Sequence, residues 1–256
     1  MSAGLIVAGT DTGVGKTVVA AALVTALGAR YWKPIQAGLD GETDGETVRR
    51  LAGVGDDDIV REVYRLRQPL SPHLAAERDG LEIDLARLTL PNGRKPPVLT
   101  TVESEPSPRE EGQGASNVVA LKSRSRPGLA AVAGSGAAGA PRPLVIEGAG
   151  GVLVPLNRQA LQIDLFDNWA LPVVVVARTS LGTINHTLLT VEALRRRNIP
   201  IQGVAFVGEA NGEVEEDIAS FGRVRRLGRL PWVDPLDRAS LMRAFELSFQ
   251  VEDFRQ

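Results

Sequence analysis

Residues Leu5-Ile6-Val7-Ala8 run directly into Gly9-Thr10-Asp11-Thr12-Gly13-Val14-Gly15-Lys16-Thr17. The apolar run reads as a strand buried on both faces. The glycine-rich turn that follows opens a helix near Gly15. Glycines let consecutive backbone N–H groups point inward without a Cβ clash. The helix N-terminus adds about half a positive charge, and Lys16 adds a whole one, so the turn forms a phosphate cradle. Thr17 offers a hydroxyl where a P-loop ligates Mg²⁺. The spacing is a variant. The general P-loop has glycine five residues before Gly15, but Thr10 stands there and Gly9 lies one position earlier.

Working outward, apolar runs alternate with helical patterns. A helix is expected over Val18 to Leu27, and short strands over Arg30–Trp32 and Leu144–Ile146. The run Leu171 to Ala177 is a further strand, followed by a helix over Thr183–Arg197 and a strand over Ile201–Val207. A helix near Glu213–Phe221, a short strand near Val224–Leu230 and a helix near Leu236–Phe249 complete the series. This order argues an α/β fold: one P-loop NTPase-type domain over residues 1–256, with a mostly parallel twisted sheet and helices on both faces. Ligands on such sheets gather at the C-terminal ends of the strands. The cradle, Lys33, Glu147 and Val207 all follow strand ends, so they can converge.

Residues 92–141 break the pattern. From Pro91 to Pro143 lie eight of the chain's sixteen prolines and no aromatic residue, and Gly128 to Ala140 is an Ala/Gly string. Such a composition buries too little apolar surface to offset ordering, so a flexible low-complexity insertion is expected. A roughly tenfold longer loop costs only about 2 kcal/mol of closure entropy, so the domain can carry it.

Bulk composition excludes several classes. A net charge of −2 gives no footprint for nucleic acid or an anionic membrane. No apolar run approaches the ~18 residues of a bilayer span. The absence of cysteine rules out disulfides and thiolate chemistry. No signal-peptide pattern precedes the first strand, and a cytoplasmic location is expected.

Three further elements carry chemistry. Lys33 follows a strand and precedes Pro34, which holds it extended. A second lysine near the phosphates can stabilise a transferring phosphoryl group or its acceptor. Asp44 lies among acidic residues before a helix and has the look of either a helix-end carboxylate or a Mg²⁺ ligand. Glu147-Gly148-Ala149-Gly150-Gly151 puts a carboxylate at a strand end beside small residues, where backbone can approach phosphate or substrate closely.

Together with the cradle, these elements resemble the dethiobiotin synthetase family. Tyr31-Trp32-Lys33-Pro34-Ile35-Gln36-Ala37-Gly38, Ser71-Pro72-His73, the Glu147–Gly151 string, Leu181-Gly182-Thr183-Ile184-Asn185-His186 and Leu230-Pro231-Trp232 occur in that family's order. The resemblance covers about 1–90 and 142–256. It implies an ATP- and Mg²⁺-dependent cyclo-ligase of biotin biosynthesis. Such an enzyme forms the ureido ring of dethiobiotin from 7,8-diaminopelargonic acid (7,8-diaminononanoate) and CO2. The path runs through a carbamate and a carbamic–phosphoric anhydride.

It also implies residue roles. Lys16 holds the β- and γ-phosphates, and Gly13, Val14, Gly15, Thr17 and Val18 wrap them. Thr17, Asp44 and Glu147 hold Mg²⁺, and Lys33 stabilises the carbamate and the phosphoryl group. Gly148, Ala149, Gly150 and Gly151 line the diamine, with Thr12 near the reacting end and Ala37 as a substrate contact. Gly182, Thr183 and Asn185 meet the substrate carboxylate from the neighbouring subunit, so a homodimer is implied. Val207, Gly208, Leu230, Pro231 and Trp232 sit by the ribose or base.

Two positions depart from the family. Ala37 replaces a frequent serine, losing a hydrogen bond worth ~1 kcal/mol. Val207-Gly208 lacks the asparagine that reads adenine, which implies a relaxed preference for ATP. His73 is a further candidate for approaching substrate, through a Ser71-Pro72-His73 loop, where a purely structural histidine is the alternative. A switch ATPase of the partitioning or metal-delivery class is the alternative. It needs a second lysine near Thr10 or Asp11, where there is none, and it leaves Lys33 unexplained.

Overall fold

A computed structural model describes residues 4–91 and 142–255. The stretch 92–141, where the flexible insertion is expected, lies outside the described residues. The chain begins with β1 (Gly4–Gly9), α1 (Lys16–Leu27), β2 (Arg30–Trp32), β3 (Ile35–Ala37) and α2 (Asp44–Ala52). Then come β4 (Ile59–Val60), β5 (Tyr64–Leu66) and α3 (Pro72–Arg78). The second half holds β6 (Leu144–Gly151), α4 (Gln162–Trp169), β7 (Val173–Arg178) and α5 (Thr183–Arg196). It ends with β8 (Ile201–Val207), α6 (Gly212–Gly222), β9 (Arg226–Leu230) and α7 (Arg238–Ser248).

Seven strands form one sheet in the order β4-β2-β6-β1-β7-β8-β9, and every pairing in it is parallel. β1 sits in the middle, so its C-terminal end opens where connections leave toward both edges, which is where ligands bind on such sheets. The fold expected from the alternating pattern is therefore the one observed.

Period-two alternation divides β1 between two cores. Leu5 and Val7 face a cluster built with α1, α2 and α7, including Leu23, Leu51 and Phe245. Ile6 and Ala8 face the opposite cluster, which includes Ala75 of α3, Phe166 of α4, Leu194 of α5 and Ile218 of α6. Helices on both faces explain why β1 and β7 read as unbroken apolar runs. Helix α1 is buried over Val19 to Val24 on successive turns, so it is a core helix rather than a surface one.

Two local expectations change. β6 does not stop at Ile146: it continues through Gly151, pairing Val7 with Glu147 and Gly9 with Gly151. Glu147 thus belongs to a central strand, and the small residues after it carry that strand, with a register shift, on to Gly151. Ser71-Pro72-His73 is not a loop but the start of α3, with Pro72 in its first turn, where a missing N–H costs nothing.

Candidate active site

The glycine loop closes on Gly15, the N-cap of α1, at φ 94°. That left-handed conformation suits glycine, and a Cβ there would come within 3.0 Å of Val207 Cγ1. Without the Cβ the loop lies directly on the end of β8. Lys16, the first helical residue, turns back over the loop and its Nζ donates to the Asp11 carbonyl at 2.8 Å.

Across from the loop, the sheet register assembles a charged cluster. β2 pairs with β6 so that Tyr31 lies opposite Val145 and Trp32 opposite Ile146. Period two then puts Tyr31, Lys33 and Glu147 on the same face, the one covered by α1. Asp44 arrives as the first residue of α2. The task of capping that helix falls to its neighbours: Thr43 and Glu46 form a capping box. Asp44 is left free to turn inward.

The contacts are close. Thr17 Oγ1 lies 2.7 Å from Asp44 Oδ1 and 2.9 Å from Glu147 Oε1. Lys33 Nζ bridges the same carboxylates, donating to Asp44 Oδ2 and, at 3.2 Å, to Glu147 Oε1. Tyr31 donates its hydroxyl to Glu147 Oε2 at 2.8 Å. Glu147 is 1% exposed.

Electrostatics follow from burial. Lys16 loses hydration, and Lys33 repels it. These effects outweigh the attraction of Glu147, Asp44 and Asp11, and its pKa falls to about 8. Burial also opposes the charge on Lys33, but Glu147 and Asp44 overcome it and hold its pKa above the usual lysine value. Burial likewise opposes ionisation of Asp44, yet Lys33 and Thr17 keep its pKa below the usual carboxylate value. Burial, then Glu147, pushes the Tyr31 phenol well up.

The donor set suits a small hard cation. Thr17 carries one hydroxyl proton, so only one of its two carboxylate contacts is a hydrogen bond at any instant. The other is an approach of bare oxygens, which a cation would relieve. Two carboxylates and a hydroxyl are the short protein ligand set that Mg²⁺ takes, with phosphate oxygens and waters completing an octahedron. Among the described residues no three His, Cys, Asp or Glu side chains form a fuller metal cage.

A cavity of about 590 Å³ opens over this cluster. The loop supplies Thr12, Gly13, Gly15, Lys16, Thr17 and Val18 to its lining. The opposite wall supplies Lys33, Ala37, Asp44, Glu147, Ala149 and Gly150. Gly150 has the left-handed φ of 68° that favours glycine, and a Cβ there would be tightly placed, 3.0 Å from Val154 Cγ2 and 3.2 Å from Thr12 Oγ1. Most of the expected constellation is thus in one place.

Other expected residues lie elsewhere. Val14 is buried in the core beneath α1. Gly148 faces α4, where a Cβ would meet Gln162 and Phe166. Gly151 lines a second cavity of about 440 Å³, beside Leu153 and His186. Gly182 and Asn185 are exposed at the start of α5. Thr183 is buried and spends its hydroxyl on the Arg178 carbonyl at 2.6 Å. Val207 turns into the core against Gly15, and Gly208 bonds its N–H to the Leu230 carbonyl. Leu230 is buried, Pro231 half-buried and Trp232 68% exposed. His73 lines a separate cavity with Glu77 and Arg158, away from the charged cluster.

Three residues escaped the sequence reading. Tyr31 touches Glu147, as described. Gln162, the first residue of α4, is buried. It accepts from the Ala149 N–H and donates to the Gly151 carbonyl at 3.1 Å, bracing the end of β6. Arg178, at the end of β7, donates to the Thr12 carbonyl at 3.1 Å and to Asp11 at 3.2 Å, clasping the glycine loop. Tyr31 stood inside a quoted motif; the other two left no local signal.

The family model AAA_26, described as an AAA domain, matches residues 3–111 and 123–240. The ATP-dependent dethiobiotin synthetase BioD of Rhodopseudomonas palustris (strain TIE-1) is 48% identical over 254 residues, 99% of this chain and 98% of its own. The protein of the same name from Bradyrhizobium diazoefficiens is 47% identical over 254 residues, 99% of each chain. That from Novosphingobium aromaticivorans is 48% identical over 249 residues, 97% of this chain and 98% of its own. Identity of this level over nearly the full length, with the loop and cluster above in place, means that the chain belongs to the dethiobiotin synthetase family.

Proposed function

We propose that the chain is an ATP- and Mg²⁺-dependent cyclo-ligase of biotin biosynthesis. It closes the ureido ring of dethiobiotin from 7,8-diaminopelargonic acid and CO2, and releases ADP and phosphate. The observation that carries this reading is Lys33, buried between Asp44 and Glu147 and facing the glycine loop across one cavity. A nucleotide switch has no use for a second fixed cation there; a phosphoryl acceptor does.

The chemistry asks for positioning and charge stabilisation. One substrate amine captures CO2 as a carbamate. The carbamate oxygen takes the γ-phosphoryl group, and the bond to the ADP oxygen breaks. The second amine attacks the carbonyl of the mixed anhydride, the ring closes and phosphate leaves. Lys16 leaves the Asp11 carbonyl to hold the β- and γ-phosphates. Lys33 keeps its proton, so its part is electrostatic: it faces the carbamate and the phosphoryl group without exchanging protons. Thr17, Asp44 and Glu147 would hold Mg²⁺, which neutralises phosphate charge when bound. Ala149 and Gly150 border the diamine, kept in line by Gln162.

A homodimer fits the surface. Leu181, Leu189 and Leu153 are exposed around the start of α5, next to Gly182 and Asn185. Covering that apolar face with a second copy would bring those two residues to the substrate carboxylate. No described helix is long and apolar enough to cross a membrane, and we read the enzyme as cytoplasmic.

The test is phosphate release in bicarbonate buffer. Release is expected only when ATP, bicarbonate and the diamine are all present. Release that ignores the diamine would overturn the reading.

A pH dependence follows from Lys16. Its ammonium attracts phosphate only when protonated, so ADP affinity of the free enzyme falls as pH rises through about 8. Fluorescence titration between about pH 7 and 9.5 reads this, and Lys16→Met flattens the curve. Stability moves the other way. Between about 8 and 10.5 the unfolded chain holds a proton that the folded chain lacks, so the nucleotide-free protein gains stability across that window.

A further inference from the structure

Glu147 divides its two oxygens between opposite sides. Oε1 faces Thr17 at 2.9 Å and Lys33 at 3.2 Å. Oε2 accepts from Tyr31 at 2.8 Å. The phenol is fully buried in β2, and the β2–β6 register fixes it beside the carboxylate. An oxygen bound to a hydroxyl donor on one side of the carboxylate is turned away from a cation on the other.

Cations differ in what they ask of a carboxylate. Mg²⁺ takes a tight octahedral shell and is served by one oxygen of each carboxylate. Ca²⁺ takes six to eight oxygens at longer distances and readily accepts both oxygens of one carboxylate. A residue that removes one oxygen from use therefore works against the larger ion. Groups that orient a metal ligand commonly change metal affinity by about 10–100-fold when removed.

We propose that Tyr31 is a positioning residue that holds Glu147 to one available oxygen and so makes the site discriminate Mg²⁺ against Ca²⁺. The proposal rests on the reading that Thr17, Asp44 and Glu147 hold Mg²⁺ beside a nucleotide. It goes further by assigning the choice of cation to a side chain that touches neither cation nor substrate.

The test uses binding rather than turnover. Mg²⁺ and Ca²⁺ are titrated calorimetrically into wild-type protein and Tyr31→Phe, each saturated with ADP. Tyr31→Phe is expected to shift the ratio of the two dissociation constants by about tenfold in favour of Ca²⁺. A ratio within about twofold of wild type, in a variant whose melting curve shows it folded, overturns the proposal. A purely structural tyrosine would weaken both cations alike and leave the ratio unmoved.

A second measurement needs no substitution. The chain has two tyrosines, so ¹⁹F NMR of wild-type protein carrying 3-fluorotyrosine gives two resonances. The Tyr31 resonance is expected to hold its position when Mg²⁺ and ADP load, and to move when Ca²⁺ and ADP load, as Oε2 is drawn toward the cation. Equal movement with both ions overturns the proposal. Failure of the underlying reading looks different: wild-type protein would then bind neither cation in a nucleotide-dependent way.

Discussion

Lys33→Ala is expected to lower diamine-dependent phosphate release by about 10²–10³-fold while changing ADP affinity only a few-fold. The rate effect comes from removing a fixed positive charge at the acceptor side of the transfer. Nucleotide affinity stays because the loop and Lys16 are untouched. The substitution also strips the counter-charge from Glu147, whose side chain is 1% exposed, and from the more open Asp44. Breaking a buried ion pair costs about 3–5 kcal/mol, and the exposure of Asp44 moves this case toward the lower end. Assays therefore belong well below the variant's melting temperature. The role fails if turnover stays within tenfold of wild type in folded protein.

Lys16→Ala should leave the opposite signature. ADP and ATP affinity fall by about 10–100-fold, the value of a charge-assisted contact to phosphate. Turnover at saturating ATP falls as well, because the γ-phosphate loses its orientation. The two variants thus separate on nucleotide dissociation constants, measured by calorimetry: Lys16→Ala moves them and Lys33→Ala does not. If both variants move ADP affinity equally, the two lysines do not face different halves of the reaction.

What could be read in advance depended on whether the signal was local. β1 and β7 announce themselves because strands buried on both faces are continuous apolar runs. The glycine loop is legible because its residue types and spacing carry the chemistry. β3 and β5 are not legible. Each has three residues, Ile-Gln-Ala and Tyr-Arg-Leu, and they exist as a sheet only because they pair with each other. The strand reads as ending at Ile146 because glycine weakens strands, yet pairing with β1 carries β6 through an irregular stretch, with Gly150 at φ 68°, to Gly151. Tyr31 and Glu147 stand 116 positions apart, so only the sheet order makes them neighbours. Val207 follows the same logic: the end of β8 is recognisable, but the inward turn of its side chain depends on Gly15 packing against it.

The depth at which α1 is set has a mechanical consequence. The helix carries the glycine loop on its first turn, and from Val19 to Val24 it is enclosed by the sheet, α2 and α7. At its other end Gly28 and Ala29 bond back to the helix carbonyls. One wall of the reaction chamber is therefore an anvil, unable to yield without opening a core. Part of the rim is built otherwise: Pro69 and Leu70, which also line the cavity, are exposed residues of a surface segment. Any widening of the cavity is therefore expected at that rim rather than at the buried helix.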